Sequence, residues 1–308
     1  MLHIKKHIVF IVLVLLAFSI KAQQDPQYTQ YMYNMNIVNP AYAGSSESLN
    51  FNFLARTQWV GITGAPKTLT FGVQSPVGKN VGLGLTAIFD KLGPVEEQNI
   101  YGDFSYTINV NNNAKLALGL KVGYTFFNLC LSCLNTVIVG DEAFTDKDAN
   151  KFLPNLGIGV FYYTNKFYFG TSIPNLLETY HFNENEGQST RASETKHIFL
   201  TSGYVFDISE DIKLKPSIMV KAVEGAPLSI DFSSNVLFYN KMEAGLSYRL
   251  DESISGMINF RVRKNLRIGY AYDHTLTNLG QFNSGSHEVI LLFNLEPKSF
   301  RIRSPRFF

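Results

Sequence analysis

Residues 241–250 read KMEAGLSYRL. Met242, Ala244, Leu246, Tyr248 and Leu250 alternate with Lys241, Glu243, Gly245, Ser247 and Arg249. A two-residue repeat sends each set to its own face of a β-strand, whereas a helix scatters both sets round its axis. The same alternation extends in both directions along the chain. In 228–236, Leu228, Ile230, Phe232 and Val236 oppose Ser229, Asp231, Ser233 and Asn235. In 266–273, Leu266, Ile268, Tyr270 and Tyr272 oppose Arg267, Gly269, Ala271 and Asp273. In 103–110, Phe104, Tyr106, Ile108 and Val110 oppose Asp103, Ser105, Thr107 and Asn109. One face is apolar and aromatic; the other is small, polar or charged.

The pattern predicts strands near 49–57, 68–75, 80–90, 98–109, 114–127, 155–163, 166–173, 196–206, 211–221, 227–237, 241–249, 254–262, 265–274 and 286–295. Fourteen is an even number, and many of these runs have the length that a tilted strand needs to cross a bilayer. Short turns at 76–79, 111–113, 164–165, 207–210, 239–240 and 263–264 alternate with mostly longer links at 58–67, 91–97, 128–154, 174–195, 222–226, 250–253 and 275–285. Outer-membrane barrels have this asymmetry, with tight periplasmic turns and longer external loops. The expected fold is an all-β transmembrane antiparallel barrel of about fourteen strands over 49–296, with both chain ends on the periplasmic side. A soluble sandwich or propeller would also alternate. Propellers, however, repeat at ~40–50 residues, which is not seen here, and sandwich strands average ~5–6 residues. On the barrel reading Leu, Ile, Phe and Tyr face lipid, with Tyr248, Tyr270 and Tyr272 in the interfacial girdle. Asp231, Glu243, Arg249, Arg261 and Arg267 face the lumen.

Composition agrees with this reading. Of 308 residues 45% are hydrophobic, 14% aromatic and only 17% charged. A disordered chain is excluded by that apolar content. Lys+Arg and Asp+Glu are 27 and 25, and no segment is basic enough to track a nucleic-acid backbone. Residues 1–22 read as a secretory signal peptide: Lys5 and Lys6, an apolar run from Ile8 to Ile20, then Ala22. That run falls short of the ~20 residues of a membrane span. No later apolar stretch is long enough for a membrane helix.

Two segments fall outside the wall. Residues 23–48 are rich in Asn, Gln and Tyr and almost uncharged. Tyr28, Tyr31, Met32, Tyr33, Met35 and Ile37 are too apolar for a solvated tail, which predicts a periplasmic, plug-like segment folded into the lumen mouth. Its side-chain amides would pair with polar groups of the lumen. Residues 297–308 form a basic periplasmic tail. Lys298, Arg301, Arg303 and Arg306 are interleaved with Phe300, Phe307 and Phe308. The tail is either a disordered topology signal or a docking peptide for an acidic partner.

Little in the sequence points to chemistry. Cys130 and Cys133 form a lone C-x-x-C without further zinc ligands at usable spacing. In an oxidising compartment they are a local disulfide or two incidental thiols. Asp141, Glu142, Asp146 and Asp148 lack the spacing of a calcium loop. Asp273–His274 and His287–Glu288 invite a hydrolase reading, but neighbours on a strand point to opposite faces. No nucleophile motif is present. Gly82 and Gly84 read as strand glycines that permit close packing. The expectation is no enzyme, no metal and no cofactor.

Asn39-Pro40-Ala41-Tyr42-Ala43-Gly44, then Arg56-Thr57-Gln58-Trp59 and Gly64-Ala65-Pro66-Lys67-Thr68, resemble the start of the PorP/SprF family. Gly269-Tyr270-Ala271-Tyr272-Asp273 and Asn283-Ser284-Gly285-Ser286-His287-Glu288 resemble its closing hairpin. The basic, Phe-terminated tail is more similar to the SprF-like branch. The resemblance implies an integral outer-membrane component of the type IX secretion system of Bacteroidetes-type bacteria. It further implies a cognate secreted cargo with a C-terminal signal domain, a gliding-motility adhesin in SprF-like members, and contact with periplasmic and outer-membrane secretion components. Loops 128–154 and 174–195 on the rigid wall are the expected recognition surface. Asn39, Pro40, Ala41, Tyr42, Arg56 and Trp59 are the motif residues. The competing expectation is a transport barrel, porin-like or passing hydrophobic solutes, because the Asn-Pro-Ala start is also similar to the plug segment of long-chain fatty-acid channels.

Overall fold

A computed structural model describes residues 27–46, 48–133, 148–177 and 196–295. The signal peptide over 1–22, the tail residues Lys298 to Phe308, and Asp141, Glu142 and Asp146 lie outside the described residues. The strands are β1 (Leu49–Thr57), β2 (Lys67–Pro76), β3 (Val81–Leu92), β4 (Val95–Asn111), β5 (Ala114–Leu129), β6 (Ala149–Thr164) and β7 (Phe167–Ile173). There follow β8 (His197–Tyr204), β9 (Phe206–Asp207), β10 (Ile212–Val223), β11 (Ser229–Phe238), β12 (Met242–Arg249), β13 (Ser253–Arg263), β14 (Leu266–Thr275) and β15 (Ser286–Leu295). β8 and β9 are one wall strand interrupted at Val205, so the wall has fourteen.

Each strand pairs antiparallel with its sequence neighbours, and β1 with β15 closes the ring. Closure leaves no free edge, which is the condition for a sheet in lipid, where an unpaired backbone group finds no water. All fourteen predicted runs are present. The largest departure is β6, which starts at Ala149 rather than 155, so β5 and β6 form a taller hairpin and the link between them shortens to 130–148. Links 91–97 and 250–253 tighten to Gly93–Pro94 and 250–252, because β3–β4 pairing runs on to Leu92–Val95 and β12–β13 pairing to Arg249–Ser253. The rim asymmetry survives: the strand ends that flank 58–66, 130–148, 174–196 and 276–285 all lie at one mouth.

The faces divide as the alternation requires. Asp231, Glu243, Arg249 and Arg267 are buried inside, whereas Phe104, Phe232, Leu246 and Ile268 are exposed on the outer wall. Tyr248 and Tyr270 also point outward. Arg261 is only half-buried, since it lies beside the β13 irregularity at Arg261–Arg263 near the tight-turn rim. Cys130 and Cys133 are joined in a disulfide at the tip of β5. Asp148 accepts from Ser132 Oγ at 2.6 Å and from Ser132 N at 3.0 Å across the base of that loop, and these donors hold its carboxyl below the usual range.

Leu246 lies midway along β12 and is 68% exposed on the outer wall. Leu246→Arg is expected to destabilise the barrel by roughly 2–4 kcal/mol in guanidinium unfolding from lipid vesicles. A lipid-soluble thiol reagent is expected to react with cysteine at 230, 242 and 268 and to spare 231, 243 and 267. The opposite pattern would invert the faces.

Candidate functional site

A ring of inward-facing carboxylates, amides and guanidinium groups needs polar partners, and the bilayer supplies none. The N-terminal segment provides them. Residues 27–46 run down the lumen through two short 3-10 turns, Tyr31–Tyr33 and Pro40–Tyr42, before joining β1. Tyr31, Met32, Tyr33, Met35, Ala41 and Tyr42 are buried, as are Gln30, Asn34, Asn36 and Asn39. The plug therefore carries both apolar bulk and hydrogen-bonding amides.

Its direction differs from the expectation of a segment lying at the periplasmic, tight-turn side. Gln27 Oε1 accepts from Arg249, the last residue of β12, and Thr29 meets the ends of β14 and β15 at the long-loop mouth. The segment therefore starts at the long-loop mouth and descends to β1 at the other. β15 ends at the tight-turn mouth, as expected.

Four sets of contacts hold the plug. At the long-loop end, Arg56 of β1 bridges Asp273 of β14 at 2.7 Å and Glu288 of β15 at 3.0 Å. Glu288 accepts the backbone N–H groups of Gln30 and Thr29 at 2.8 and 3.0 Å, and Thr29 Oγ1 lies 2.6 Å from the Asp273 carboxylate. Arg56 and Glu288 are register partners across the closing seam. Deeper in the lumen, Lys121 pairs with its register partner Asp103 at 2.7 Å and donates to the Asn36 carbonyl at 3.0 Å. Near the tight-turn mouth, Arg267 pairs with Glu243 at 2.8 Å, and Asn259 donates to the Tyr33 hydroxyl at 2.8 Å. The wall also reads the plug backbone: Ser172 Oγ donates to the Val38 carbonyl at 2.6 Å and Ser105 Oγ to that of Ala43.

The motif residues mostly serve this seat. Asn39 caps the second turn by accepting from Ala41 N at 3.0 Å, and its Nδ2 donates to the Val160 carbonyl at 3.0 Å. Pro40 and Ala41 lie against Gly119, where a β-carbon would strike the plug backbone; Gly82 gives the same clearance to Ala43. Tyr42 packs edge-on against Phe161, with ring centroids 5.1 Å apart. Trp59 is half-buried in the 58–66 loop, with its backbone N–H donated to Ser286 Oγ at 3.2 Å. The basic tail, Lys298, Phe300, Arg301, Arg303, Arg306, Phe307 and Phe308, lies outside the described residues.

Sequence reasoning missed the convergence of Arg56, Asp273 and Glu288 on Thr29. All three groups were in quoted motifs, and barrel closure places β15 beside β1, but nothing along the chain said that Thr29 and Gln30 of the plug would meet them there. The hydrolase alternative finds no geometry: Asp273 and Glu288 face the lumen, whereas His274 is exposed on the outer wall and His287 Nδ1 meets the Tyr270 hydroxyl there at 2.6 Å. Between the plug and the wall, a cavity of about 100 Å3 lies on the long-loop side.

Residues 20–293 match the family model described as type IX secretion system membrane protein PorP/SprF. No curated relative matches the sequence. Among solved structures, the CymD monoaromatic hydrocarbon channel is similar with a TM-score of 0.52 and 12% identity, over 84% of this chain and 91% of that one. The P. putida toluene transporter TodX gives 0.49 and 10%, over 86% and 94%. At such identity CymD speaks for the barrel fold alone.

Arg56→Ala leaves two buried carboxylates without their cation and is expected to cost about 3–5 kcal/mol in chemical denaturation. Glu288→Ala removes the acceptor of two plug N–H groups. It is expected to open ion conductance in a planar bilayer where the unaltered barrel stays closed; equal conductance would disprove the lock.

Proposed function

The chain belongs to the PorP/SprF family of type IX secretion system membrane proteins, and on that premise we propose that it is a non-catalytic outer-membrane anchor. In this reading it helps to deliver or hold a cognate secreted surface protein, of the gliding-adhesin type, and couples that protein to the periplasmic machinery. The observation that carries the proposal is the occupied lumen. A wall tied to its plug at several depths is a rigid body, and what it offers to partners is its two mouths. Loops on a rigid scaffold are where recognition is usually placed. The long-loop mouth is assigned to the C-terminal signal domain of the cargo, which leaves the cell by this route. The tail Lys298 to Phe308, basic with phenylalanine anchors, is assigned to an acidic periplasmic partner. The signal peptide over 1–22 brings the chain to the periplasm for insertion.

Deletion of 298–308 is expected to leave a barrel that migrates as folded before heating but to abolish cell-side coupling. Unchanged surface display and motility would refute the role of the tail. Affinity purification from outer membranes is expected to co-elute one very large secreted chain. A barrel that purifies alone and conducts without any lesion of the plug would instead favour transport.

A further inference from the structure

The lumen lock uses Arg56 but not the motif residues that follow it. Thr57, Gln58, Trp59 and Lys67 instead line, with Lys91, a cleft of about 520 Å3 at the 58–66 loop. Sites for small ligands span ~300–1,000 Å3. The loop around this cleft is tied down at several points. Val60 N–H donates to the Gly285 carbonyl at 2.9 Å, and Ser284 N–H donates to that of Val60 at 2.7 Å. On the other side, Gly93 N–H donates to the Gly64 carbonyl at 2.9 Å. Trp59, the single tryptophan of the chain, is held at φ +46°, a left-handed conformation uncommon for so bulky a residue. Backbone strain of this kind clusters at binding sites.

The cleft lies on the outer face of the wall. Thr57, Lys67, Lys91 and Glu96 are successive register partners across β1 to β4. Lys67 and Lys91 are exposed and share the outward parity of Leu69, Phe71 and Phe89. Two residues further along the strands, about 7 Å away, the same face carries Leu69 and Phe89 as partners, and the next step carries Phe53 and Phe71. The ammonium row therefore sits just above the apolar band, on the side of the longer, external loops. Glu96 holds Lys91 at 2.5 Å, and no carboxylate among the described residues pairs with Lys67. Like charges directly opposite on a sheet repel, so an anion between Lys67 and Lys91 gains from both. We propose that this cleft binds the phosphorylated sugar headgroup of an outer-leaflet glycolipid. Lys67 and Lys91 donate to its phosphate. Trp59 offers the sugar an apolar face, and Gln58 and Thr57 bond its hydroxyls. The acyl chains run down over Leu69, Phe89 and Phe71. A bare phosphate would leave most of the cleft empty, and a soluble phosphosugar would forgo the apolar wall below it. The site is separate from the assignment of the two mouths to protein partners.

Trp59 fluorescence reports on the site without a label, because no other tryptophan is present. The intact barrel, purified from outer membranes into detergent micelles, is titrated with bisphosphorylated lipid A. A saturable emission shift is expected. Its dissociation constant rises about tenfold in Lys67→Gln, the effect of losing one charge-assisted hydrogen bond, with folded migration on gels unchanged. Lys91→Gln gives the same reading should Lys67→Gln fail to fold. Phosphatidylglycerol at equal charge and glucosamine 1-phosphate in solution are expected not to saturate in the same range. Equal binding of phosphatidylglycerol would reduce the site to a general anionic interface, and equal binding of the soluble phosphosugar would remove the lipid from it. Either result, no shift, or a shift indifferent to both lysines overturns the proposal. The photo-crosslinking residue p-benzoylphenylalanine at exposed position 63 is expected to give a lipid adduct in native outer membranes. A polypeptide adduct there would overturn the site in favour of a protein partner.

Discussion

The bilayer accepts no unpaired backbone group and no bare charge, and the rest of this molecule follows from that exclusion. Because every N–H and C=O must be paired within the sheet, the wall has to close, and β15 is brought beside β1. Because charged side chains cannot face acyl chains, they collect in the bore. Asp103, Lys121, Asp231, Glu243, Arg249, Arg267, Asp273 and Glu288 are all buried there. A bore so lined is stable only when its groups have partners.

The plug is the answer to that requirement, and its composition shows why. A charged segment would have added ions to be matched one by one, and an apolar one would have left the wall's groups unpaired. Asparagine, glutamine and tyrosine fill volume and still bond. Where the wall holds net negative charge, around Asp273 and Glu288, the plug presents backbone N–H groups and a threonine hydroxyl. Where the wall holds a cation, Lys121, it presents a carbonyl. Small wall residues, Gly82 and Gly119, let the plug backbone lie close enough for these contacts.

With the bore occupied, the barrel's two ends are its distinct faces. The two mouths differ in loop length and in what the plug shows them. On the long-loop side, Gln27, Tyr31 and Asn34 line a small cavity together with Asp231 and Arg249. At the other, the segment turns through Ala43 and Ser45 into β1, with both residues buried. The fold thus presents two unlike faces on one barrel.

Sequence alone determined the wall. Side chains on a strand alternate strictly, so the parity of Glu243 against Leu246, or Asp273 against Tyr272, decides lumen or lipid without reference to the rest of the chain. Pairs across a tight turn, such as Asp231 with Arg249, follow once the turn at 239–240 fixes the register. The apolar excess of 28–37 was likewise enough to deny it a place in solvent. The direction of the plug and the union of Arg56 with Asp273 and Glu288 around Thr29 were decided only by tertiary structure. Each depends on residues more than 200 positions apart meeting near the closing seam. Local periodicity predicts the closed wall but not how the plug lies within it, because it fixes which way a side chain points and not what it finds there.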